Sequence, residues 1–534
     1  MDKEISKPAV IPVGATETVS KPKEHRIVKS ATIVASMTLL SRVMGFVRDV
    51  VLAIIFGAGP AFDAFVIAFK LPNFMRRLFA EGAFSQAFVP VLSEYRSKNT
   101  HEQVQQFINR IAGGLTLVLV LLTIFAEIAA PAIITVFAPG FSHQGERFEY
   151  ATHMLRIIFP YIVLISLTAF TGATLNTYRQ FALPAFTPVL LNVVLILVAC
   201  LWAPYTSVPI YTLAWGVVIG GFVQLLAQLP AMYRLNLLPY PTVSWKDEGV
   251  KRVMKLMVPA LFGVSVAQLS LLVDSFFASF LRAGSISWLY YSDRLIYLPQ
   301  GVIGVALATV VLPHLSQHHA QKNGAAYSKT LDWALRSALI VGLPSAIGLY
   351  VLAGPILATM IKHGAFNTFD VVMTTKSLRA FTLGLPAFML IKILASAFYS
   401  RQNIRTPVKI AAVAMVVNLL LNIALIFPLQ HAGLALSTSI ASIFNAACLF
   451  ILLWREGIYS PNQGWTKLLI RLLAANVIMA AFLVWMTGDL TYWLSINLST
   501  KIWHLLGIIG ISVLTYFICL LLFGVRKRDF RPTV

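Results

Sequence analysis

Apolar runs of roughly 20 residues recur from residue 31 to the C-terminus, the length a helix needs to cross the hydrocarbon core of a bilayer. Lipid cannot hydrogen-bond to the backbone, so only helices and closed barrels span it. The barrel signature of short alternating strands is absent. The chain is 58% hydrophobic and 12% charged, where soluble domains carry ~25% charge. It therefore reads as an all-α polytopic membrane protein.

Fourteen spans are predicted, at about 31–57, 62–94, 105–137, 148–176, 183–204, 209–233, 252–281, 286–316, 331–361, 371–399, 406–428, 432–454, 465–487 and 502–524. The second and eighth are long and contain Leu71-Pro72 and Leu298-Pro299. Proline lacks the amide hydrogen and clashes with the preceding turn, so both spans should kink or break there. Gly216 and Gly220 fit close helix packing.

The net charge of +21 would suit nucleic acid, but its distribution argues otherwise. Basic residues fill alternate short loops: Arg96 and Lys98, Arg179, Arg234 to Arg252, Lys322 and Lys329, Arg401 and Arg405, Arg455 and Lys467. The opposite loops hold little beyond Arg147 among Glu146 and Glu149, Arg282, Lys362 and Lys501. This is the positive-inside pattern, which places both termini in the cytoplasm and removes nucleic acid as a partner. Residues 1–29 lack the apolar core of a signal peptide and are expected to be a polar, disordered cytoplasmic tail. Residues 526–534 form a second, basic tail. Cys200, Cys448 and Cys519 stand far apart inside spans, which gives neither a disulfide framework nor metal spacing. They are expected to be small buried hydrophobes.

The two halves resemble each other. "YRQFALPAFTPV" (178–189) matches "YSRQNIRTPV" (399–408), "PAIITVFAPG" (131–140) matches "PILATMIKHG" (355–364), "FVPVLSEY" (88–95) matches "VVLPHLSQH" (310–318), and Leu71-Pro72 matches Leu298-Pro299. All are offset by about 220–227 residues. Spans 1–6 and 7–12 are thus read as parallel repeats, an arrangement that places a central site between two lobes.

Charges inside spans are expensive, and here they cluster in the first two spans of each repeat. The first has Arg42, Arg48, Asp49, Asp63, Lys70, Arg76, Arg77 and Glu81; the second has Asp274, Arg282, Asp293 and Arg294. Arg42 and Asp49, seven apart, share a helical face, as do Asp63 and Lys70. Such helices insert if the charged faces line a wet cavity between the lobes, with Arg77 and Lys70 alternatively snorkelling toward an interface. An arginine-lined cavity suits a phosphate-bearing anion, because the planar guanidinium donates two parallel hydrogen bonds. No nucleotide-binding loop is present, so an ion gradient, the membrane potential or the substrate gradient must supply the energy. Asp274, Asn418, Asn422 and Thr438 together offer one carboxylate and three neutral oxygens, which suits a hard monovalent cation; otherwise they hydrogen-bond helices together.

The stretches "SRVMGFVRDVVLAIIFGAGPAFDAFVIAFKLPNFMRRLFAEGAFSQAFVPVLSEY" (41–95), "SWLYYSDRLIYLPQGVIGVALATVVLPHLS" (287–316) and "FYSRQNIRTPVKIA" (398–411) closely resemble the bacterial lipid II flippase family, MurJ (MviN). That family belongs to the multidrug/oligosaccharidyl-lipid/polysaccharide exporter superfamily. The resemblance runs from about residue 25 to the C-terminus. It implies fourteen helices arranged as an N-lobe (30–235), a C-lobe (236–456) and a C-terminal pair (457–525) that forms a groove for a polyprenyl tail. The implied substrate is lipid II, undecaprenyl-pyrophosphate bearing a disaccharide-pentapeptide, moved to the outer leaflet for peptidoglycan assembly. Positions matching Arg42, Arg48, Arg76 and Arg294 are the essential cavity residues of that family. Those matching Ser41, Asp49, Asp63, Asn73, Ser287 and Asp293 are supporting or gating positions. Sodium is implied at Asp274, Asn418, Asn422 and Thr438, although Asn422 is an amide where the family has a carboxylate. No other cofactor is expected, and the implied form is a monomer among membrane lipids, with cell-wall synthesis proteins as partners. A drug–cation antiporter should have an acidic cavity, and a scaffold for cell-wall enzymes needs no arginine cluster. An enzyme is disfavoured by the short loops and the absence of a nucleophile–base spacing.

Overall fold

A computed structural model describes the backbone of residues 22–77, 84–142 and 145–525, and their side chains except at 22–32, 259–271, 302–303 and 305. Glu81, most of the N-terminal tail and all of the C-terminal tail lie outside the described residues.

The described chain is helical, with no strand among the described residues. The first half contains α1 (Pro22–Phe56), α2 (Pro60–Met75), α3 (Phe84–Lys98), α4 (His101–Ile128), α5 (Ala130–Phe137), α6 (Gly145–Ile158), α7 (Tyr161–Thr177), α8 (Ala182–Leu201) and α9 (Ile210–Arg234). The second contains α10 (Glu248–Ser279), α11 (Ser285–Pro299), α12 (Val305–Ala320), α13 (Gly324–Met360), α14 (Thr368–Thr382), α15 (Leu385–Tyr399) and α16 (Arg405–Arg455). Then follow α17 (Trp465–Thr487), the short α18 (Leu490–Ser495) and α19 (Leu498–Leu522). Helix starts are fixed by local chemistry. Thr100 and Gln103 form a reciprocal capping box on α4, Asn367 and Asp370 do so on α14, and Asp247 caps α10 through the amide of Val250.

Among the described residues, eight helical stretches are long and apolar enough to cross a membrane, α6 and α7 together forming one of them, and nine if the bent pair α14–α15 counts as one span. The chain is a multi-pass membrane protein. The other predicted spans fall on helices interrupted by breaks or loaded with charge. The two Leu-Pro sites behave as expected: α2 ends just after Pro72, and α11 passes at Pro299 into a π-helical segment, Gln300–Gly304. The segments predicted at 406–428 and 432–454 run together as α16, which turns sharply at Gln430 (φ 51°, ψ −132°). Residues with positive φ recur at the repeat interval: Gly57 with Gly284, Arg179 with Gln402, and Asn236 with Gly457.

Core packing differs between the two ends of the bundle. Near the loops poor in basic residues, one apolar core joins both halves, from Leu52, Phe62 and Leu155 to Tyr291, Leu357 and Phe366. Near the basic loops it divides. One core holds Phe88, Phe107, Phe170 and Met232 of the first half, and a separate one holds Leu315, Leu331, Phe398 and Leu453 of the second. The halves are therefore fused at one end and separate at the other. Helix α10 straddles them. Its Val250 and Val253 pack in the first-half core, Arg252 pairs with Glu94 of α3, and Asp247 pairs with Arg110 of α4, while its later turns pack on α16.

Gly216 and Gly220 of α9 receive Leu195, Val198 and Leu191 of α8, so the small-residue reading holds. Cys519 is buried and Cys448 half-buried, but Cys200 is exposed near the end of α8, contrary to its expected burial. The C-terminal pair α17–α19 packs on α13. At its basic end the link is Asp332, which accepts from Tyr459 Oη (2.7 Å), Trp465 Nε1 (2.6 Å) and Asn462 Nδ2 (3.1 Å) and pairs with Arg336. Burial and the hydrogen bond to Asp332 push the Tyr459 hydroxyl pKa up.

Candidate functional site

Between the halves lies a cavity of about 1030 Å³. Of the predicted site residues, Ser41, Arg42, Arg48, Asp49, Asn73, Arg76, Asp274, Asp293, Arg294 and Thr438 line it, together with Lys70 and Arg77. Asp63 and Ser287 do not; they belong to a separate cluster.

Asp49 is the centre of the cavity wall. Its Oδ1 accepts from Arg48 Nη2 (2.6 Å), Arg48 Nε (3.0 Å) and Tyr290 Oη (2.7 Å). Its Oδ2 lies 3.2 Å from Arg294 Nε. Arg48 also donates to Asn192 Oδ1 (2.9 Å), which ties α1 to α8, and Arg294 stacks over the Tyr290 ring at 4.7 Å. One carboxylate thus holds two guanidiniums, one from each half, at the cavity surface. Arg48 is buried, whereas the Arg294 side chain is 36% exposed. Arg76 donates to Asn73 Oδ1 (3.3 Å) one turn earlier. Arg42 lies against Gly301 in the π-helical break, so closely that a Cβ at 301 would collide with it. Sequence reasoning missed Asn192, Gln224, Gln228 and Tyr290 in this wall. Neutral polar residues in a span carry less signal than charges, but Asn192 and the pair Gln224/Gln228 in apolar runs could have been noted.

Asp63 sits at the fused end, fully buried. It accepts from Arg147 Nη2 (2.6 Å), the amides of Gly284 (2.7 Å) and Ser287 (2.8 Å), and Ser287 Oγ (2.5 Å). This joins α2 and α6 of the first half to the start of α11. Arg147, read from sequence as a loop cation, is buried and stacks over Phe141 at 4.5 Å. Its standing alone in a cation-poor loop was the available signal. Tyr291 Oη donates to Gly57 O (3.1 Å), and the Ala365 amide to Ile54 O (2.8 Å). Gly57 has φ 65° and faces the Ala365 carbonyl where a side chain would collide, so only glycine serves there. Arg282 does not reach the cavity; it stacks on Phe369 (4.6 Å) and Trp288 (5.6 Å) at this same end.

The structure brings Asp274, Asn418, Asn422 and Thr438 together. Asp274 Oδ1 accepts from Asn418 Nδ2 (3.1 Å) and Asn422 Nδ2 (3.0 Å), and Oδ2 from Thr438 Oγ1 (3.2 Å). The Oδ1 atoms of both asparagines are buried with no hydrogen-bond partner among the described residues. No cluster of three or more His, Cys, Asp or Glu suited to a metal ion occurs among the described residues.

Comparison with known proteins now bears on this geometry. The family model described as Lipid II flippase MurJ matches residues 52–504. A Vibrio cholerae protein described as a probable lipid II flippase MurJ is 43% identical, over 96% of this chain and 98% of its own. The Burkholderia cenocepacia protein named lipid II flippase MurJ is 42% identical, over 85% and 88%. Among solved structures, a lipid II flippase MurJ in an inward closed conformation superposes with a TM-score of 0.77 at 30% identity, covering 92% of this chain and 98% of that one. An inward-facing multidrug resistance MATE family transporter superposes at 0.65 with 14% identity, a likeness of fold. With a family model matched over most of its length and relatives above 40% identity over 85–96% of it, this chain belongs to the lipid II flippase MurJ family.

Proposed function

We propose that this protein is a transporter, a lipid II flippase of the bacterial inner membrane that moves the undecaprenyl-pyrophosphate-linked peptidoglycan precursor from the cytoplasmic to the outer leaflet. The observation that carries this reading is the pairing of Arg48 and Arg294, from opposite halves, on Asp49 at the surface of a cavity of about 1030 Å³. Asp49 holds both guanidiniums in place until a better anion arrives. A pyrophosphate offers more oxygens and more charge than one carboxylate, so it displaces Asp49 and gains Arg42 and Arg76 as further donors. Neutralising the headgroup there lowers the cost of carrying its charge through the membrane.

The fused and separate ends supply the alternating access. In this reading the chain makes fourteen crossings in two six-helix lobes, with both termini in the cytoplasm and the separate cores on the cytoplasmic side. The headgroup enters between those cores, while its tail stays in lipid along α17 and α19. Substrate bridging of α1, α2 and α11 draws the cytoplasmic ends together. The Asp63 cluster is the outer seal that must then part. An inside-negative potential assists export of an anion by about 2.3 kcal/mol per charge per 100 mV.

A monovalent cation such as sodium fits the Asp274 cage. The two partnerless amide oxygens are the atoms such an ion needs, and turning each asparagine amide over presents them to Asp274. Asp274, Asn418, Asn422 and Thr438 would hold the ion, which supplies a gradient to bias the rocking.

The test is leaflet accessibility of lipid II in cells depleted of this protein and complemented with wild type, Arg48→Ala, Arg76→Ala or Arg294→Ala. Wild type should restore exposure to an outside-only reagent, and the variants should not. Normal exposure in all of them overturns the reading and favours a scaffold.

A further inference from the structure

Lys70 is unused by the mechanism above. It is the last cation of α2 before the Leu-Pro break, and its Nζ reaches across to α10, donating to Ser275 Oγ at 2.7 Å. Ser275 adjoins Asp274, so the ammonium sits beside the cation cage without entering it. Two carboxylates, Asp293 and Asp274, attract it, and Arg294 repels it. Asp293 lines the cavity on α11, where the adjoining Arg294, Lys70 and Arg77 attract it. An ammonium has three donors. One is spent on Ser275, so the side chain can answer either carboxylate.

We propose that Lys70 is a tethered cation that competes with a mobile monovalent cation for the Asp274 end of the cavity and turns to Asp293 when the mobile cation binds. The logic is charge balance. With the cage empty of metal, Asp274 is faced by amides, a hydroxyl and the Lys70 ammonium. A cation in the cage repels that ammonium and cancels the charge that attracted it, which leaves Asp293 as its remaining anion. The side chain belongs to the first half and both carboxylates to the second, so the exchange moves a contact between halves from α10 to α11. That links occupancy of the cage to the wall that carries Arg294. The amide at Asn422 sharpens the competition, because a cage with one carboxylate has little excess negative charge with which to hold metal against a resident ammonium.

This inference rests on the cation-site reading of the previous section, and the experiment separates the two. The full-length protein in nanodiscs is melted over a series of sodium chloride concentrations, with choline chloride holding ionic strength constant, and tryptophan fluorescence reports the midpoint. Wild type should be stabilised by sodium, and Asp274→Asn should not. Lys70→Gln should reach half-saturation at sodium concentrations at least tenfold lower than wild type, and Lys70→Arg should resemble wild type. Asp293→Asn should act in the opposite direction and weaken sodium severalfold, because Lys70 loses its alternative partner; this variant keeps the proposal testable if Lys70→Gln does not fold. A sodium response in Lys70→Gln but not in wild type also supports it. Equal half-saturation in wild type, Lys70→Gln and Asp293→Asn overturns the role of Lys70 and leaves the cation site standing. A response that persists in Asp274→Asn, or is absent from wild type and every variant, overturns the site itself and the inference with it.

Discussion

Asp49 and Asp63 are the same residue on consecutive helices, both almost fully buried and both paired with an arginine from another helix, Arg294 and Arg147 respectively. In the proposed mechanism they do opposite work. Asp63 accepts from two backbone amides, a hydroxyl and a guanidinium, all rigidly placed. Its lone pairs are filled by groups that have no better use. Asp49 accepts from two guanidiniums and a phenol on the wall of an open cavity. Its donors can find another anion. A buried carboxylate becomes a lock or a placeholder according to whether its donors are fixed backbone or mobile cations, and burial alone does not distinguish the cases.

The largest expected effect comes from removing a donor shared by placeholder and substrate. Arg48→Ala deletes two charge-assisted bonds to Asp49 and one to Asn192, each worth about 1.5–3 kcal/mol when charged. Translocation should fall at least a hundredfold, read as outer-leaflet exposure of lipid II, and pyrophosphate should bind correspondingly more weakly. A pyrophosphate affinity equal to wild type would break the comparison, since Asp49 would then not be standing in for substrate.

Asp63→Asn attacks the lock. It leaves Arg147 buried and without its counter-charge, and breaking such a pair costs about 3–5 kcal/mol. The effect should appear as a lowered unfolding midpoint and as labelling of cysteines placed near Gly57 and Ala365, while pyrophosphate affinity stays unchanged. Adding Arg147→Met should recover most of the loss, because the two substitutions share one interaction. Failure of the double variant to recover would mean that the amide and hydroxyl bonds of Asp63 outweigh its ion pair.

Asp49→Asn should do less to stability, about 1–2 kcal/mol, since its arginines keep other partners and partial access to water. Its signature is functional. With the competing carboxylate neutralised, pyrophosphate should bind severalfold more tightly and turnover should slow through poorer release. Both changes are read by titration calorimetry and single-turnover flipping in vesicles.

How much of this the sequence displayed follows from the same physics. Charges in an apolar run are costly, so Arg42, Arg48, Asp49 and Arg294 stand out, and the structure gathers them on one cavity. The cost is equally high for Asp63, so it stood out too, yet nothing in the spacing distinguished lock from placeholder. That distinction depends on Arg147, 84 residues away, and on amides more than 220 residues away. Leu-Pro pairs announced both helix breaks because proline acts on its own backbone. The Asp274 cage was readable as an i, i+4 asparagine pair plus a distant carboxylate, but the contact itself needed α10 and both limbs of the kinked α16 to converge. Tyr290 and Asn192 were hidden because neutral polar groups are affordable in a span and leave no trace in charge patterning.

The smallest effect should come from the basic end, where Glu94 pairs with Arg252 (2.7 Å) and Lys98 (3.0 Å). The Arg252 contact ties the start of α10 to α3 just as Asp63 ties α2 to α11, at a distance nearly as short, while Lys98 reaches Glu94 from one turn further along α3. The side chains are exposed, however, with Arg252 at 54% and Lys98 at 70%. Water and salt compete for every charge, and a broken pair simply rehydrates. Glu94→Gln should therefore leave both the unfolding midpoint and translocation at wild-type level, and raising salt should change the variant no more than it changes wild type. A substantial loss would mean that the anchorage of α10 on the first half is itself part of the rocking motion. The separate cores at that end would then be held in register by charge rather than by apolar packing. The expected silence of Glu94 beside the severity of Asp63→Asn sets an exposed ion pair against a buried one of similar length: a cation released from Glu94 finds water, whereas Arg147, released from Asp63, finds none.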